Sequence, residues 1–224
     1  MSSISIIIPA LNESANLSAT FAAIRSAADS VGSSLSLEII VVDANSDDNT
    51  AELAQTLGAK VLITPRRQRA HQLNLGTLSA SGEVLLFLHA DTHLPPHGLD
   101  QIMAAMKDNE VAGGGFVRFF DSPSKFLGFT RHLATWRSRN LGVFLGDQGI
   151  FVRRSICEAL GGFDETRVLC EDLDFSRRLR SSGRVVALPG PLISSARRFE
   201  RLGPFRQTLI DLWLTAKYFI FSAR

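Results

Sequence analysis

The stretch from Val84 to Thr92, VLLFLHADT, constrains the fold of this chain more than any other. It begins with five apolar residues in a row, as in a strand buried on both faces of a parallel sheet. His89 and Asp91 follow at the carboxyl end of that strand, where an open α/β sheet places its ligand site. A carboxylate held there suits a divalent metal that is shared with a phosphate. The alternative is an ordinary turn that leads into the following proline pair.

Strands and helices alternate through the first ninety residues. The apolar runs 4–8, 38–42 and 61–63 predict three further strands, and residues at helical spacing fill the intervals between them. Such alternation predicts right-handed βαβ units and a mostly parallel sheet flanked by helices in one α/β domain. Glu13, Asp43 and Asp91 then fall near carboxyl ends of strands. A chance turn or helix-cap role explains any one of these acids, but it explains all three poorly.

The composition favours one folded domain. The chain has 224 residues, of which 45% are hydrophobic and 21% are charged, as in soluble globular proteins. Cys157 and Cys170 form neither a disulfide framework nor a metal-type spacing. The first residues lack a basic leader and their apolar run stops at Pro9, so we expect no signal peptide and a cytosolic location.

Charge divides the chain into two halves. Residues 1–112 carry 6 Lys or Arg and 12 Asp or Glu, whereas residues 113–224 carry 18 and 10. Arginine outnumbers lysine by 20 to 4, and arginine suits bidentate phosphate contacts. The basic half favours an anionic partner, either a diphosphate or an anionic lipid surface, and we expect no nucleic acid partner. The alternative is a solvated basic surface.

The second half holds fewer regular patterns. Residues 111–120 include three consecutive glycines, and they predict a strand and not a phosphate loop because no helical pattern follows them. Residues 121–145 combine basic and aromatic side chains, including Trp136, and predict either a surface helix or a wall of an acceptor site. Asp147 and Gln148 follow, just before an apolar strand at 150–152.

Glu171, Asp172 and Asp174 place three acids within four residues. Such a cluster is costly unless the acids face water, a metal or cations. The alternative is a helix N-terminus, where acids complement the helix dipole. Both interpretations hold together, because catalytic acids are also found at helix starts.

The segment from Leu202 to Phe221 is apolar and aromatic, but Asp211 and Lys217 interrupt it. A transmembrane span needs about 20 apolar residues, so none is predicted here. The basic residues along this part of the chain are Arg197, Arg198, Arg201, Arg206, Lys217 and Arg224. Trp213 is of a residue type that favours a membrane interface. The segment therefore predicts an amphipathic helix that either lies on an anionic membrane or packs against the sheet or a second subunit.

Five segments, in their order along the chain, resemble the motifs of glycosyltransferase family 2. They are IIIPALNE (6–13), VVDANSDDNT (41–50), LLFLHADT (85–92), GGFDE (161–165) and CEDLDFSRRLR (170–180). The resemblance covers roughly residues 4–200. The HADT and GDQG segments are also similar to a small bacterial subgroup linked to arsenosugar biosynthesis. The QxxRW motif of processive synthases is missing, which implies transfer of one sugar per encounter.

The resemblance implies a GT-A (Rossmann-like) fold, a nucleotide-diphosphosugar donor, Mn²⁺ or Mg²⁺, and an acceptor that is a small molecule or lipid-linked. The predicted division of the chain is a nucleotide-binding half at 1–112, an acceptor half at 113–200 and a C-terminal amphipathic helix at 201–224. The predicted site residues fall into four groups. Asp91 is predicted to bind the metal, and Asp172 is predicted to be the general base. The predicted donor-binding residues are Pro9, Asn12, Glu13, Asp43, Arg66, Arg69 and His89, and the predicted acceptor-side residues are Trp136, Asp147, Gln148 and Glu171. His89 stands where the family's DxD motif has aspartate, so His89 or His93 is also a candidate metal or phosphate contact.

One base, Asp172, without a nucleophile on the opposite face predicts direct displacement with inversion. A sugar nucleotidyltransferase is a weaker alternative, because residues 10–13 do not form the glycine-rich basic loop that follows the first strand in such enzymes. A non-catalytic nucleotide-sugar binding or membrane scaffold protein is a second alternative, which the altered DxD motif keeps open. A dehydrogenase is disfavoured, because no G-x-G-x-x-G follows a strand.

Overall fold

The computed structural model describes residues 2–32 and 35–221, and these residues build one eight-stranded sheet with helices on both faces. The strands are β1 Ser2–Ala10, β2 Leu35–Asp43, β3 Lys60–Ile63, β4 Val84–Phe87, β5 Thr92–His93, β6 Val111–Asp121, β7 Ile150–Arg153 and β8 Arg184–Ser195. Their order across the sheet is β3-β2-β1-β4-β7-β6-β8-β5.

Helices fill the connections between the strands. The α-helices are α1 Ser14–Val31, α2 Thr50–Thr56, α3 Arg69–Ser79, α4 Gly98–Met106, α5 Lys125–Trp136, α6 Arg154–Ala159, α7 Glu171–Ser181, α8 Arg197–Leu202 and α9 Pro204–Phe221. A π-helical turn, Arg137–Leu141, continues α5, and a 3₁₀ turn, Gly146–Gln148, precedes β7. Within the described residues, no helix combines the length and the apolar character that a bilayer crossing requires.

The first four strands form the parallel part of the sheet. β1 pairs in parallel with β2 and β4, and β2 pairs in parallel with β3. Ile6 of β1 lies between Ile39 of β2 and Leu86 of β4, and β4 is buried along its whole length. Burial on both faces explains why these strands are continuously apolar and not alternating. The predicted mostly parallel α/β sheet is confirmed.

The other strands extend the sheet with mixed directions. β7 pairs antiparallel with both β4 and β6, and β6 pairs in parallel with β8. The glycine run at 113–115 lies inside β6, as predicted. A Cβ at Gly114 would overlap the carbonyl oxygen of Val186 and would lie 3.0 Å from the ring of Phe151. These glycines are therefore required for close strand packing.

β8 extends well beyond the apolar run at 185–188. The sequence Pro189-Gly190-Pro191 indicates a break, but β8 continues through it, with a register shift against β6 between Phe116 and Val117. A bulge of this kind accommodates residues that cannot donate to a regular ladder. The extension brings Ser194 and Ser195 to the carboxyl end of the sheet.

The C-terminal segment forms two helices and not one, because Gly203 adopts a φ of 84° between α8 and α9. The inner face of α9 packs on the domain: the hydroxyl of Tyr218 donates to Asp174 and accepts from Arg177. The rings of Phe205 and Phe126 are 5.9 Å apart, so α9 also packs on α5. Arg224, one of the basic residues considered above, lies outside the described residues.

Candidate active site

A cleft of about 300 Å³ opens at the carboxyl ends of β1 and β4. Eight of the predicted site residues line it: Pro9, Glu13, Arg69, His89, Asp91, Asp147, Glu171 and Asp172. Residues of α8 and α9, including Arg197 and Asp211, form the opposite wall. The sheet edge that the sequence singles out is therefore the floor of this cleft.

Asp91 and Glu13 converge on one cation, the guanidinium of Arg197. The Nη2 atom of Arg197 lies 3.1 Å from Oδ2 of Asp91, and its Nη1 atom donates to Oε2 of Glu13 at 2.8 Å. Burial raises the pKa of Asp91, the positive charge of Arg197 lowers it, and the carboxylate of Glu13 raises it further. The net result is a raised pKa. The two acids come from the loops after β1 and β4, while the arginine begins α8.

Asp172 is held in place by backbone donors. The amide of Gly146 donates to its Oδ2 and the amide of Leu173 donates to its Oδ1, each at 2.7 Å. Asp172 stands in the first turn of α7, where the helix dipole favours a negative charge. Cys170, just before the helix, adopts a φ of 62°, a conformation that is rare outside glycine and recurs at functional sites. The carboxylate is thus fixed in direction toward the cleft that it lines.

Glu171, beside Asp172, is buried and paired. Its Oε1 atom lies 3.0 Å from Nη1 of Arg69. Burial raises the pKa of Glu171, the charge of Asp172 raises it further, and Arg69 opposes both effects. The sequence predicts Glu171 on the acceptor side, and in the structure its carboxylate pairs with Arg69 at the start of α3.

His89 is a neutral imidazole. Burial and then the charge of Arg69 lower the pKa of His89 to about 3, so it carries no proton on its second nitrogen at physiological pH. A neutral imidazole accepts a hydrogen bond or binds a metal. Its Nε2 atom faces Gly146, where an added Cβ would lie 2.7 Å away. His93 lies instead in β5, in a neighbouring cavity of about 200 Å³ that shares Asp91.

Arg118 is a cleft residue that the sequence reasoning missed. It extends from β6, pairs with Asp147 and stacks on the ring of Phe120 at 4.0 Å. Burial alone would raise the pKa of Asp147, but the charge of Arg118 holds it below its ordinary value. The alternation Phe116, Arg118, Phe120 in the sequence was the available signal, since it places an arginine among apolar residues of one strand.

Three predicted donor residues do not line the cleft. Asp43 is fully buried at the end of β2, where its Oδ1 atom accepts from the amide of Ser46 at 2.7 Å. Its Oδ2 atom is buried with no hydrogen-bond partner among the described residues. Asn12 stands in the exposed loop after β1 with a φ of 56°. Arg66 pairs with Glu165 at 2.5 Å on the surface.

Two predicted acceptor-side residues also lie elsewhere. Trp136 is more than half exposed at the end of α5, because its side chain faces outward. Gln148 is fully buried, and its amide group donates to the carbonyl of Phe116 and the hydroxyl of Ser138 and accepts from Arg137. A side chain whose hydrogen bonds are all used within the fold is a structural residue, so Gln148 supports the cleft wall from behind.

The donor set of the cleft fits a divalent cation that is completed by a ligand. Among residues 2–32 and 35–221, no group of three His, Cys, Asp or Glu side chains is arranged to hold a metal by itself. Asp91 and Glu13 nevertheless direct two carboxylates at one cation, and carboxylate oxygens are the ligands that Mg²⁺ and Mn²⁺ prefer. A Mg²⁺ ion that is bound by one or two carboxylates commonly takes substrate phosphates as its further ligands.

The chain is similar in sequence to known transferases. The chain is 34% identical over 117 residues to a dolichol-phosphate mannosyltransferase of Pyrococcus furiosus, covering 50% of this chain and 32% of that one. It is 30% identical over 173 residues to an undecaprenyl-phosphate 4-deoxy-4-formamido-L-arabinose transferase of Aeromonas hydrophila, covering 70% and 51%. The chain thus spans about a third to a half of the length of these relatives.

Solved structures share the fold. The mannosyltransferase PcManGT of Pyrobaculum calidifontis, in complex with GDP-Man and Mn²⁺, matches 85% of this chain and 56% of its own, with a TM-score of 0.66 and 21% identity. This likeness confirms the expected GT-A fold. The profile of glycosyl transferase family 2 matches residues 5–161, which include the strand and acid motifs that form the cleft floor. Because this match extends over more than half of the sequence, the chain belongs to glycosyl transferase family 2.

Proposed function

We propose that this protein is a metal-dependent, inverting glycosyltransferase that moves a sugar from a nucleotide-diphosphosugar to an acceptor hydroxyl. The observation that carries the proposal is the convergence of Asp91 and Asp172 in one cleft with the basic side chains of Arg69 and Arg197. This reaction needs an acid that binds a metal, an acid that accepts a proton and cations that bind a diphosphate.

The nucleoside would bind over residues 1–112, beside β1 and β2. Asp43 supports this placement, because its buried Oδ2 atom lacks a donor among the described residues. An unsatisfied buried carboxylate oxygen is costly, and an N–H group of a nucleobase would satisfy it. The bound GDP-Man of the archaeal structural relative is a donor of the proposed class.

Asp91, with Glu13, would hold the divalent metal. A cation bound there supplies Lewis-acid stabilisation of the leaving diphosphate. Arg69 lies in the same cleft, and its pairing with Glu171 fixes the position of its guanidinium. That guanidinium can donate to a phosphate oxygen, since arginine is suited to bidentate phosphate contacts.

Asp172 would take the proton of the acceptor hydroxyl. It is the best placed of the acids in this part of the cleft, because Glu171 is paired with Arg69 and Asp147 is paired with Arg118. The Asp172 oxygens each accept from one backbone amide, which orients the carboxylate and leaves further lone pairs for an acceptor hydroxyl. A base on the face opposite the leaving diphosphate gives direct displacement with inversion, and general-base catalysis is worth about 10²–10⁴-fold in rate.

A lipid-linked acceptor is favoured over a small soluble one. Two curated relatives are named for lipid phosphates, dolichol phosphate and undecaprenyl phosphate. α5 and α9 also leave large apolar side chains exposed, among them Leu133 and Trp136 of α5 and Leu209 and Trp213 of α9. We propose that the protein acts in the cytoplasm and contacts the inner face of the membrane through these two helices.

The charge of this surface favours a bilayer over a second copy as its partner. Residues 125–141 carry four Lys or Arg and no acid, and residues 197–221 carry five against two acids. Pairing two copies through this surface would place like charges opposite each other, whereas an anionic bilayer attracts each nearby basic residue by about 1 kcal/mol.

Sedimentation with liposomes tests this membrane contact. We expect the protein to sediment with anionic liposomes at low salt, and we expect Trp213→Ser to weaken this binding. Leu78→Ser, at an 85% exposed position on α3, is the matched control. No sedimentation with anionic liposomes would contradict membrane contact.

A ligand screen followed by a turnover assay tests the enzymatic function. Nucleoside diphosphates are screened by thermal shift with Mn²⁺, because a ligand that binds the folded state raises the melting temperature by mass action. The sugar conjugates of the stabilising nucleotide are then offered with lipid-phosphate and small-molecule acceptors. Transfer with an inverted anomer is the expected result. Binding without turnover would favour a nucleotide-sugar binding or scaffold protein, and sugar-1-phosphate dependence would favour a nucleotidyltransferase.

A further inference from the structure

Arg197 connects the C-terminal helices to the acids of the cleft floor. Its guanidinium contacts both carboxylates of the Glu13–Asp91 pair, as described above, and it lies at the first position of α8. The side chains of Glu13 and Asp91 are each 13% exposed, whereas that of Arg197 is 49% exposed. The two acids are therefore fixed within the domain, and the arginine approaches them from the solvent side.

Two carboxylates that point at one position repel each other unless a cation stands between them. The guanidinium supplies that cation, because it contacts both acids at once. A divalent metal on Asp91 would need the same oxygens. Two cations cannot occupy one position, and like charges a few ångströms apart repel strongly in a partly buried site.

We propose that Arg197 is the resident counter-cation of the Glu13–Asp91 pair and that a divalent metal must displace it from Asp91. This inference rests on the metal role in the proposed function and adds a positioning residue to it. Arg197 acts through the two acids: it places a positive charge between them and fixes their orientation while no metal is bound. Its exchange for the metal then releases the first turn of α8.

The contacts of α8 transmit this exchange to the rest of the cleft wall that α8 and α9 form. The ring of Phe199 packs on Phe120 at 4.6 Å, and Arg198 pairs with Asp211 of α9 at 3.5 Å. Gly203 separates the two helices with a φ of 84° and has open space around its Cβ position. A shift at Arg197 therefore moves a short helix that contacts the neighbouring elements through Phe199 and Arg198 and is followed by a glycine.

Titration of Mn²⁺ without any nucleotide tests the competition. Free Mn²⁺ is measured by electron paramagnetic resonance with the full-length protein and its variants. We expect Arg197→Ala to bind Mn²⁺ at least about tenfold more tightly than the wild type. Arg197→Lys retains the charge and should stay close to the wild type. Arg201→Ala, one turn later on α8 at an exposed position, removes the same charge and should change the affinity less than about twofold.

Hydrogen exchange of the α8 amides gives a second measurement. It would not respond to Mn²⁺ if Arg197 had only a structural role. In the wild type, saturating Mn²⁺ should accelerate exchange in residues 197–202, because the metal releases Arg197. In Arg197→Ala, exchange should be fast without the metal and should not respond to it. The Arg201→Ala variant should respond as the wild type does.

Three results would overturn the inference. The first is an unchanged or weaker Mn²⁺ affinity in Arg197→Ala. The second is a tight Mn²⁺ affinity of Arg197→Ala that persists when Asp91→Asn is added. The third is hydrogen exchange of α8 that does not change with Mn²⁺ in the wild type. Since no donor or acceptor is present, these outcomes do not depend on whether the protein transfers a sugar. Failure of the turnover assay and failure of the competition are thus separate results.

Discussion

Replacing Arg69 by alanine tests the electrostatics of the cleft. Arg69 neutralises Glu171, whose side chain is only 4% exposed and lies directly beside Asp172. In Arg69→Ala the Glu171 carboxylate would remain buried next to a second acid and without its cation. We expect this variant to fold, to be less stable than the wild type at neutral pH and to lose stability as the pH rises.

The magnitude follows from the burial of the two partners. Removing one partner of a fully buried ion pair costs about 3–5 kcal/mol, whereas an exposed pair contributes up to about 1 kcal/mol. The Arg69 side chain is 48% exposed, so solvent already screens one end of the pair. We therefore expect a loss of about 2–3 kcal/mol, which lowers the urea midpoint by about 1–1.5 M at a typical slope of about 2 kcal/mol/M.

The sign of the pH dependence comes from Glu171. Burial and Asp172 raise its pKa in the folded protein, and loss of Arg69 raises that pKa further. Below the unfolded value of about 4.3 the group is protonated in both states and contributes nothing. As the pH rises above that value, the unfolded chain ionises first and is favoured. The destabilisation of Arg69→Ala should therefore be small near pH 4.5 and complete at pH 8.

Urea denaturation followed by circular dichroism at both pH values measures these effects. Arg66→Ala is the matched control, because Arg66 is 49% exposed and differs mainly in its partner, Glu165, which is 30% exposed. This control should lose less than about 1 kcal/mol, with little change between the two pH values. Equal losses in the two variants, or a loss in Arg69→Ala that does not shrink at low pH, would refute the reasoning.

Three further substitutions test the roles of individual residues in the cleft. Asp91→Asn should lose the Mn²⁺-dependent part of nucleoside diphosphate affinity, and an unchanged calorimetric affinity would remove the metal role. Asp172→Asn should retain donor binding while transfer falls by about 10²–10⁴-fold, and near-normal transfer would exclude Asp172 as the base. Gly146→Ala would place a methyl group 2.7 Å from His89 and 3.2 Å from Asp172. We expect transfer to fall about 10²-fold with a nearly unchanged melting temperature, and an unaffected rate would show that this contact relaxes freely.

The parallel half of the sheet could be predicted from the sequence because its signal is local. Apolar runs such as 84–87 identify buried strands, and the acids that follow them mark the ligand edge. The general location of the cleft followed from the same pattern. Glu13, Asp91 and Asp172 indeed line one cavity, although they are far apart in sequence.

The pairing of polar side chains could not be predicted in this way, because spatial partners leave no local pattern. Gln148 looked available for an acceptor, but its hydrogen bonds are used inside the fold. Trp136 looked like an acceptor wall, but the direction of α5 turns it outward. In the sequence, Arg197 is one of several basic residues, and its contact with Glu13 depends on how β8 ends.

The contact between Glu13 and Arg197 also has a consequence for the order of folding events. It joins residues 184 positions apart. Closing a loop of that length costs chain entropy that grows with the logarithm of its length, about 4–5 kcal/mol here. The strands β1 to β4 connect through much shorter loops and can assemble first. We therefore expect the floor of the cleft to form before Arg197 reaches it, so that the complete cleft is a late product of folding.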